Sequence, residues 1–167
     1  MNVRSVHPIL YVFFLLAGCS NAKSQQPKAA VMPDFKFYRL DDTPFTRNDI
    51  TAGKKSMVIL FDTSCEHCQH EMEDIGSRYA DFKDINFYLV SLDDKPEITG
   101  FMQTFGKELN GKDNVTVLQD KDHLFIPKFL PTKYPAMYIY SAKQQLIEYI
   151  GGQKDVEDVI AALKSKL

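Results

Sequence analysis

Met57-Val58-Ile59-Leu60-Phe61-Asp62-Thr63-Ser64-Cys65-Glu66-His67-Cys68 is the stretch that decides how the chain is read. Its first five residues are a continuous apolar run, which fits a strand covered on both faces, as in α/β sheets. After Cys65, the residues Met72, Ile75 and Tyr79 fall at i, i+3 and i+7, one face of a helix. The two cysteines therefore stand at a strand-to-helix junction, beyond the carboxyl end of a strand, where such sheets place their chemistry. A C-x-x-C spacing lets two sulfurs close a small ring across the first helical turn. Cys65 falls at the exposed helix N-terminus, where unpaired N–H groups stabilise a thiolate. Cys68 lies one turn further in and is expected to be more buried. Cys65 is thus the expected attacking thiol and Cys68 the resolving thiol.

Two other readings of the pair stand beside this one. The pair could be half of a zinc site, but zinc usually takes four ligands and the chain has no second C-x-x-C. His70 and His123 are the plausible additions, and His70 reads otherwise as plain helix surface. The pair could also be an inert structural disulfide. The strand-to-helix position favours redox chemistry.

Outward from the motif, the organisation reads as β, then βαβ, then ββα. Upstream, Phe35 to Leu40 alternates loosely and is followed by Asp41-Asp42-Thr43-Pro44, a strand and turn that suit a hairpin ending near Phe45. Downstream, Phe87 to Leu92 is the next strand. Pro96 suits a first helical turn, and Ile98, Phe101, Met102, Phe105 and Leu109 form a helical stripe stopped by Asn110-Gly111. Val115 to Leu118 is a short strand, and Ala136–Tyr140 and Gln145–Ile150 are two more joined by a tight link. Pro127 and Pro131 precede no strand and read as loop prolines. Gly151-Gly152 breaks the chain. Asp155 can cap a last helix that buries Val156, Val159, Ile160 and Leu163. The fold class is therefore α/β, a mixed central sheet flanked by helices with an N-terminal strand or hairpin extension.

The N-terminus reads as an address. Arg4 supplies a positive charge, and Ile9 to Ala17 is an apolar run of nine residues. As a helix this run spans about 13 Å, against a hydrocarbon core of about 30 Å. It is too short to cross, but it suits a signal-peptide core. The run ends Leu16-Ala17-Gly18-Cys19, which resembles the bacterial lipobox, so residues 1–18 are the expected lipoprotein signal and Cys19 the lipidated residue. The other reading is an ordinary secretory signal with an incidental cysteine. Residues 20–32 are mostly small and polar and read as a flexible tether, with the domain proper at 33–167. The expected location is extracytoplasmic, facing the periplasm. For a Gram-negative source, Ser20 after the lipidated cysteine favours the outer membrane.

Composition limits the rest. The chain has 167 residues with 44% hydrophobic and 25% charged, ordinary globular values. Lys plus Arg is 20 against 22 Asp plus Glu, which gives no electrostatic footprint for nucleic acid. Three cysteines are too few for a disulfide-stapled scaffold. No nucleotide or flavin motif is present, so no cofactor is expected.

These residues together resemble a thioredoxin-fold thiol–disulfide oxidoreductase, nearest the TlpA/ResA-like branch of membrane-attached extracytoplasmic proteins. The resemblance covers about 33–167 and rests on Cys65–Cys68, the element order, the Tyr134-Pro135 step before a strand, and Glu71 three residues after the second cysteine. It implies a cis-proline at Pro135 lining the substrate groove, with Tyr134 offering backbone groups to an extended substrate. Glu71 would share the helical face of Cys68 and relay a proton to it, unless it is a solvated surface acid. His67 would favour the Cys65 thiolate, with Glu66 and Asp62 opposing, unless it simply faces solvent. The implied partners are protein thiols and disulfides, and a membrane thiol-relay reductase supplying electrons.

Two departures mark this chain. Ser64 stands where the family usually has Trp, and the chain has no Trp. Ile59 stands where thioredoxins proper place a buried Asp, so a buried acid must come from elsewhere. The expected activity is dithiol–disulfide exchange with protein substrates, with a reductase favoured and an oxidase or isomerase kept open. The competing class is a metal-binding or metal-delivery lipoprotein using Cys65, Cys68 and a His. A peroxiredoxin-type peroxidase would need Thr at 62, where this chain has Asp.

Overall fold

The computed structural model describes residue 1 and residues 29–164. The signal and lipidation readings at 1–18 and Cys19 lie almost wholly outside the described residues. Among the described residues, no helix is long and apolar enough to cross a membrane.

Among the described residues, seven strands and four helices follow one another. They are β1 (Lys36–Arg39), β2 (Pro44–Thr46), β3 (Ser56–Leu60), α1 (Glu66–Ser77), β4 (Asn86–Ser91), α2 (Lys95–Thr104), β5 (Val115–Gln119), α3 (Phe125–Phe129), β6 (Ala136–Tyr140), β7 (Leu146–Gly151) and α4 (Val156–Lys164). They form one mixed sheet in the order β2-β1-β5-β4-β3-β6-β7. β3, β4 and β5 run parallel, and every other pair is antiparallel. This is the thioredoxin-like α/β architecture, a mixed sheet flanked by helices.

The continuous apolar runs mark the centre. Every residue of β3, β4 and β6 is buried. Alternation along β3 then sorts its side chains between two cores. Met57 and Ile59 join the side chains of α1, α2 and α4 on one face. Val58 and Leu60 join an aromatic layer on the other, with Phe37, Phe45, Phe125, Phe129 and Tyr138. Two successive right-handed crossovers, β3-α1-β4 and β4-α2-β5, put α1 and α2 on the same side.

Several elements differ from the sequence expectation. α1 ends at Ser77, and Tyr79 sits in a short 3-10 turn over Tyr79–Phe82. α2 ends at Thr104, where Gly106 takes over as turn acceptor for Leu109 and Asn110, and Leu109 reaches the core from that turn. Pro127 belongs to α3 rather than to a loop. It stands third in that helix, where its missing N–H costs no intrahelical bond. Asp120, fully buried, accepts from Leu124 N (3.0 Å) and Phe125 N (2.7 Å) and so holds the start of α3.

The tether is also shorter than its composition suggests. Met32 is fully buried in the aromatic layer. Its N–H donates to Gln144 O at 2.9 Å, and Leu146 N–H donates to Ala30 O at 2.9 Å. The folded unit thus includes residues 29–32.

Candidate active site

The site is built where β3 stops. Leu60 pairs with Ala136, so Phe61 and the residues after it lie beside Pro135, the residue before β6. Phe61 N–H still donates to Val90 O (3.0 Å), after which the chain leaves the sheet. A loop of three residues then turns it into α1. Asp62 Oδ1 accepts from Ser64 N (2.8 Å) and Ser64 Oγ (2.7 Å). Asp93, at the end of β4, accepts from Thr63 N (2.8 Å) and Ser91 Oγ (3.0 Å) through Oδ2. Two aspartates from neighbouring strand ends therefore fix the loop that presents the cysteines.

Cys65 is the N-cap of α1, with an extended backbone (φ −80°, ψ 112°). Its carbonyl accepts from Cys68 N (3.0 Å) and Gln69 N (3.1 Å). The thiol thus sits at the end of the helix where unpaired N–H groups point outward. Both cysteines are free thiols, Cys65 half-buried and Cys68 buried at 1% exposure. Burial pushes the Cys68 thiol well up from its ordinary value, and the Cys65 thiol and the Asp62 charge add to this, against a hydrogen bond from the Asp62 backbone.

Glu71 is buried at 1% exposure, so it is not a solvated surface acid. It lies one turn after Cys68, on the same buried face of α1. Its Oε2 accepts from Lys154 N at 2.7 Å, and its Oε1 has no hydrogen-bond partner among the described residues. Burial raises its pKa to about 7, partly opposed by the Lys154 N–H.

His67 is exposed, and its Nδ1 lies 2.9 Å from Gln153 Oε1. The ring is thus tied to the segment after β7. His70 is exposed, and His123 stands in the loop before α3 with φ +51°. Among the described residues, no three His, Cys, Asp or Glu side chains are placed to hold a metal ion.

The Tyr134–Pro135 peptide bond is cis. Pro135 O accepts from Gly152 N at 2.8 Å. The Tyr134 side chain is half-buried against both cores. Burial and then the charges of Asp62 and Asp93 hold its phenol above the usual value, with both cysteines contributing after them. The phenol therefore belongs to the group around the cysteines, which the sequence reading, attending to the Tyr134 backbone alone, did not find. Asp93 and Gln153 were missed as well. The only signal for the latter was its place directly after Gly151-Gly152. Beside these groups lies a cleft of about 850 Å³, walled by His67, Tyr134 and residues 151–156 among others.

The comparisons agree with this fold. No curated protein matches the chain. Among solved structures, a secreted disulfide oxidoreductase of Mycobacterium tuberculosis, described as homologous to E. coli DsbE, is similar at TM-score 0.65 and 18% identity, over 78% of this chain and 95% of that one. StoA of Bacillus subtilis is similar at 0.61 and 14%, over 80% and 98%. Peroxiredoxin Q of Xanthomonas campestris is similar at 0.64 and 18%, over 84% and 94%. At these identities the likeness is one of fold. The AhpC/TSA family profile matches residues 29–149, most of the described chain and all of the elements that carry the cysteines, so the chain belongs to the AhpC/TSA family of thioredoxin-fold thiol-dependent oxidoreductases.

Proposed function

We propose that this protein is a membrane-tethered, extracytoplasmic thiol–disulfide oxidoreductase that exchanges its Cys65–Cys68 dithiol with protein disulfides, working as a reductase. The observation that carries the reading is the asymmetry of the pair. Cys65 is half-exposed at the N-cap of α1, whereas Cys68 is at 1% exposure one turn in. An accessible thiol at a helix N-terminus attacks, and a shielded neighbour with a raised pKa resolves.

The cycle balances in atoms and electrons. The Cys65 thiolate attacks one sulfur of the substrate disulfide, forming a mixed disulfide and expelling a substrate thiolate. Cys68 then loses its proton and attacks Cys65, which forms the enzyme disulfide and expels the second substrate thiolate. Two electrons pass to the substrate, and the two expelled thiolates take up two protons. Glu71, within one helical turn of Cys68, takes the resolving proton. Tyr134 and Pro135 form the wall on which an extended substrate lies. Electrons return from a membrane thiol-relay partner.

Lipidation of Cys19, after removal of residues 1–18, supplies the tether. The one secreted protein among the similar structures quoted above is consistent with an extracytoplasmic role. Against a peroxidase stands Asp62, whose carboxylate is committed to the loop at Ser64.

The reduction potential of the couple tests the reading, measured by equilibration with glutathione buffers. A value near about −270 mV or below fits a reductase. A value of about −180 to −120 mV makes the protein an oxidant or isomerase, and failure to form the disulfide at any poise ends the redox reading.

A further inference from the structure

The segment that follows β7 touches three residues of the site, Pro135, His67 and Glu71. Gly152 N–H donates to Pro135 O at 2.8 Å, and Lys154 N–H donates to Glu71 Oε2 at 2.7 Å. Between them, Gln153 Oε1 meets His67 Nδ1 at 2.9 Å. Gly152, at φ +88°, makes the left-handed step that this path requires. His67 and Glu71 are four residues apart, so they share one face of α1 and the segment runs along it.

The Gln153 contact engages one ring nitrogen and leaves the other open. An amide oxygen only accepts, so Nδ1 of His67 carries the hydrogen of that bond. Nε2 is then the ring nitrogen left to act on a bound substrate. His67 is exposed and walls the cleft together with Tyr134, two residues along α1 from Cys65 at its N-cap.

We propose that His67, held by Gln153, is the general acid that protonates the substrate sulfur leaving the disulfide attacked by Cys65. The proposal rests on the oxidoreductase reading above and gives His67 a different task from stabilising the Cys65 thiolate. In the step, the bond from Cys65 sulfur to one substrate sulfur forms and the substrate S–S bond breaks. The electron pair of that bond goes to the leaving sulfur, which takes the Nε2 proton. The neutral imidazole is recharged from solvent. The charged groups facing His67 across the cleft are Lys133 from the loop before β6, and Lys154, Asp155 and Asp158 from the segment and α4; Asp74 lies on its own helix and Glu66 adjoins it. Lys154 is paired with Asp158 at 2.9 Å, so Lys133 adds a second cation to the wall that an emerging thiolate meets. Gln153 is a positioning residue and acts only through His67.

The test uses two disulfides that differ in their leaving group. Oxidised glutathione expels a basic alkyl thiolate, which gains from protonation. The aryl disulfide of nitrothiobenzoate expels a stable anion that needs no proton. The reduced full chain carrying Cys19→Ala, in detergent, has Cys65 and Cys68 as its only thiols. Its rates with both disulfides are measured at neutral pH, and the readout is the alkyl-to-aryl rate ratio. General acids contribute about 100-fold or more in enclosed sites, and solvent access at this exposed ring reduces the expected loss to about tenfold for His67→Ala. Gln153→Ala lowers the ratio in the same direction by about threefold, and Gln153→Glu, which keeps an acceptor oxygen, restores it. A ratio unchanged in His67→Ala overturns the proposal. So does a fall in Gln153→Ala that Gln153→Glu does not restore. If neither disulfide reacts with the parent chain, the oxidoreductase reading itself fails, and this outcome is distinct from the other two.

Discussion

Replacing Glu71 with Gln changes how the stability of the protein depends on pH, and the structure sets the size of the change. The carboxyl is at 1% exposure, with one hydrogen bond and one unpartnered oxygen among the described residues. Burial raises its pKa from an ordinary 4.5 to about 7. Between those values the folded chain holds a proton that the unfolded chain has released. Stability is therefore highest below the unfolded value, falls as pH rises through the window, and stays lowered above about 7. At about 1.4 kcal/mol per pH unit, the whole interval is worth about 3 kcal/mol. Gln cannot titrate, and its carbonyl still accepts from the Lys154 N–H. Its amide also fills the buried site imperfectly, so absolute stability is a poor readout and the pH slope is the useful one. Urea unfolding of the reduced chains at about pH 5 and about pH 8 gives that slope. The parent loses about 2–3 kcal/mol more than Glu71→Gln over this range, since every other titrating group is common to both. Parallel pH curves for the two chains refute the reasoning.

Replacing Cys68 with Ser traps mixed disulfides through Cys65, seen as dithiothreitol-sensitive adducts on non-reducing gels; equal adducts from Cys65→Ser would overturn the assignment of the attacking thiol. Met32→Ala costs about 2–5 kcal/mol in a denaturant melt, because it empties a fully buried site, whereas a residue of a free tether would cost nothing. Cys19→Ala moves the protein from the membrane fraction to the soluble fraction, and persistent membrane association removes the lipid as sole anchor.

The strands were legible because each carries its own signal. Ser56–Leu60, Asn86–Ser91 and Ala136–Tyr140 are buried on both faces, and such strands show as unbroken apolar runs. Asp155 was legible as a cap for the same local reason, and its Oδ1 accepts from Glu157 N at 2.9 Å. α3 was not legible. It is only five residues long, contains a proline, and is held by Asp120 before its own cap position. Residues 29–32 have the composition of a linker, and their order comes from pairing with Gln144 and Leu146, more than a hundred residues away. The cysteines could be read from spacing, because two sulfurs one helical turn apart are a local fact. The contacts from His67 to Gln153 and from Glu71 to Lys154 span 86 and 83 residues, and nothing in either local pattern encodes them.

Ile59 and Glu71 together show how the chain changes the source of its buried acid. Ile59 points into the core that holds Cys68 and Met72, at 1% exposure. With an apolar residue there, α1 supplies the acid instead, one turn past Cys68. A carboxylate at 59 as well would place a second buried acid near Glu71 and Cys68, and acids sharing a site push one another further toward the neutral form. One acid avoids that conflict. Among the described residues its one hydrogen bond is a backbone N–H from the segment after β7, and the orphaned Oε1 makes full ionisation costly. The result is a carboxyl with a pKa of about 7, populated in both protonation states at neutral pH. In the proposed cycle, such a group accepts the Cys68 proton when the mixed disulfide resolves and returns it when the dithiol is restored. A free surface glutamate, ionised throughout this range, would be too weak a base to do the first and would rarely hold a proton for the second.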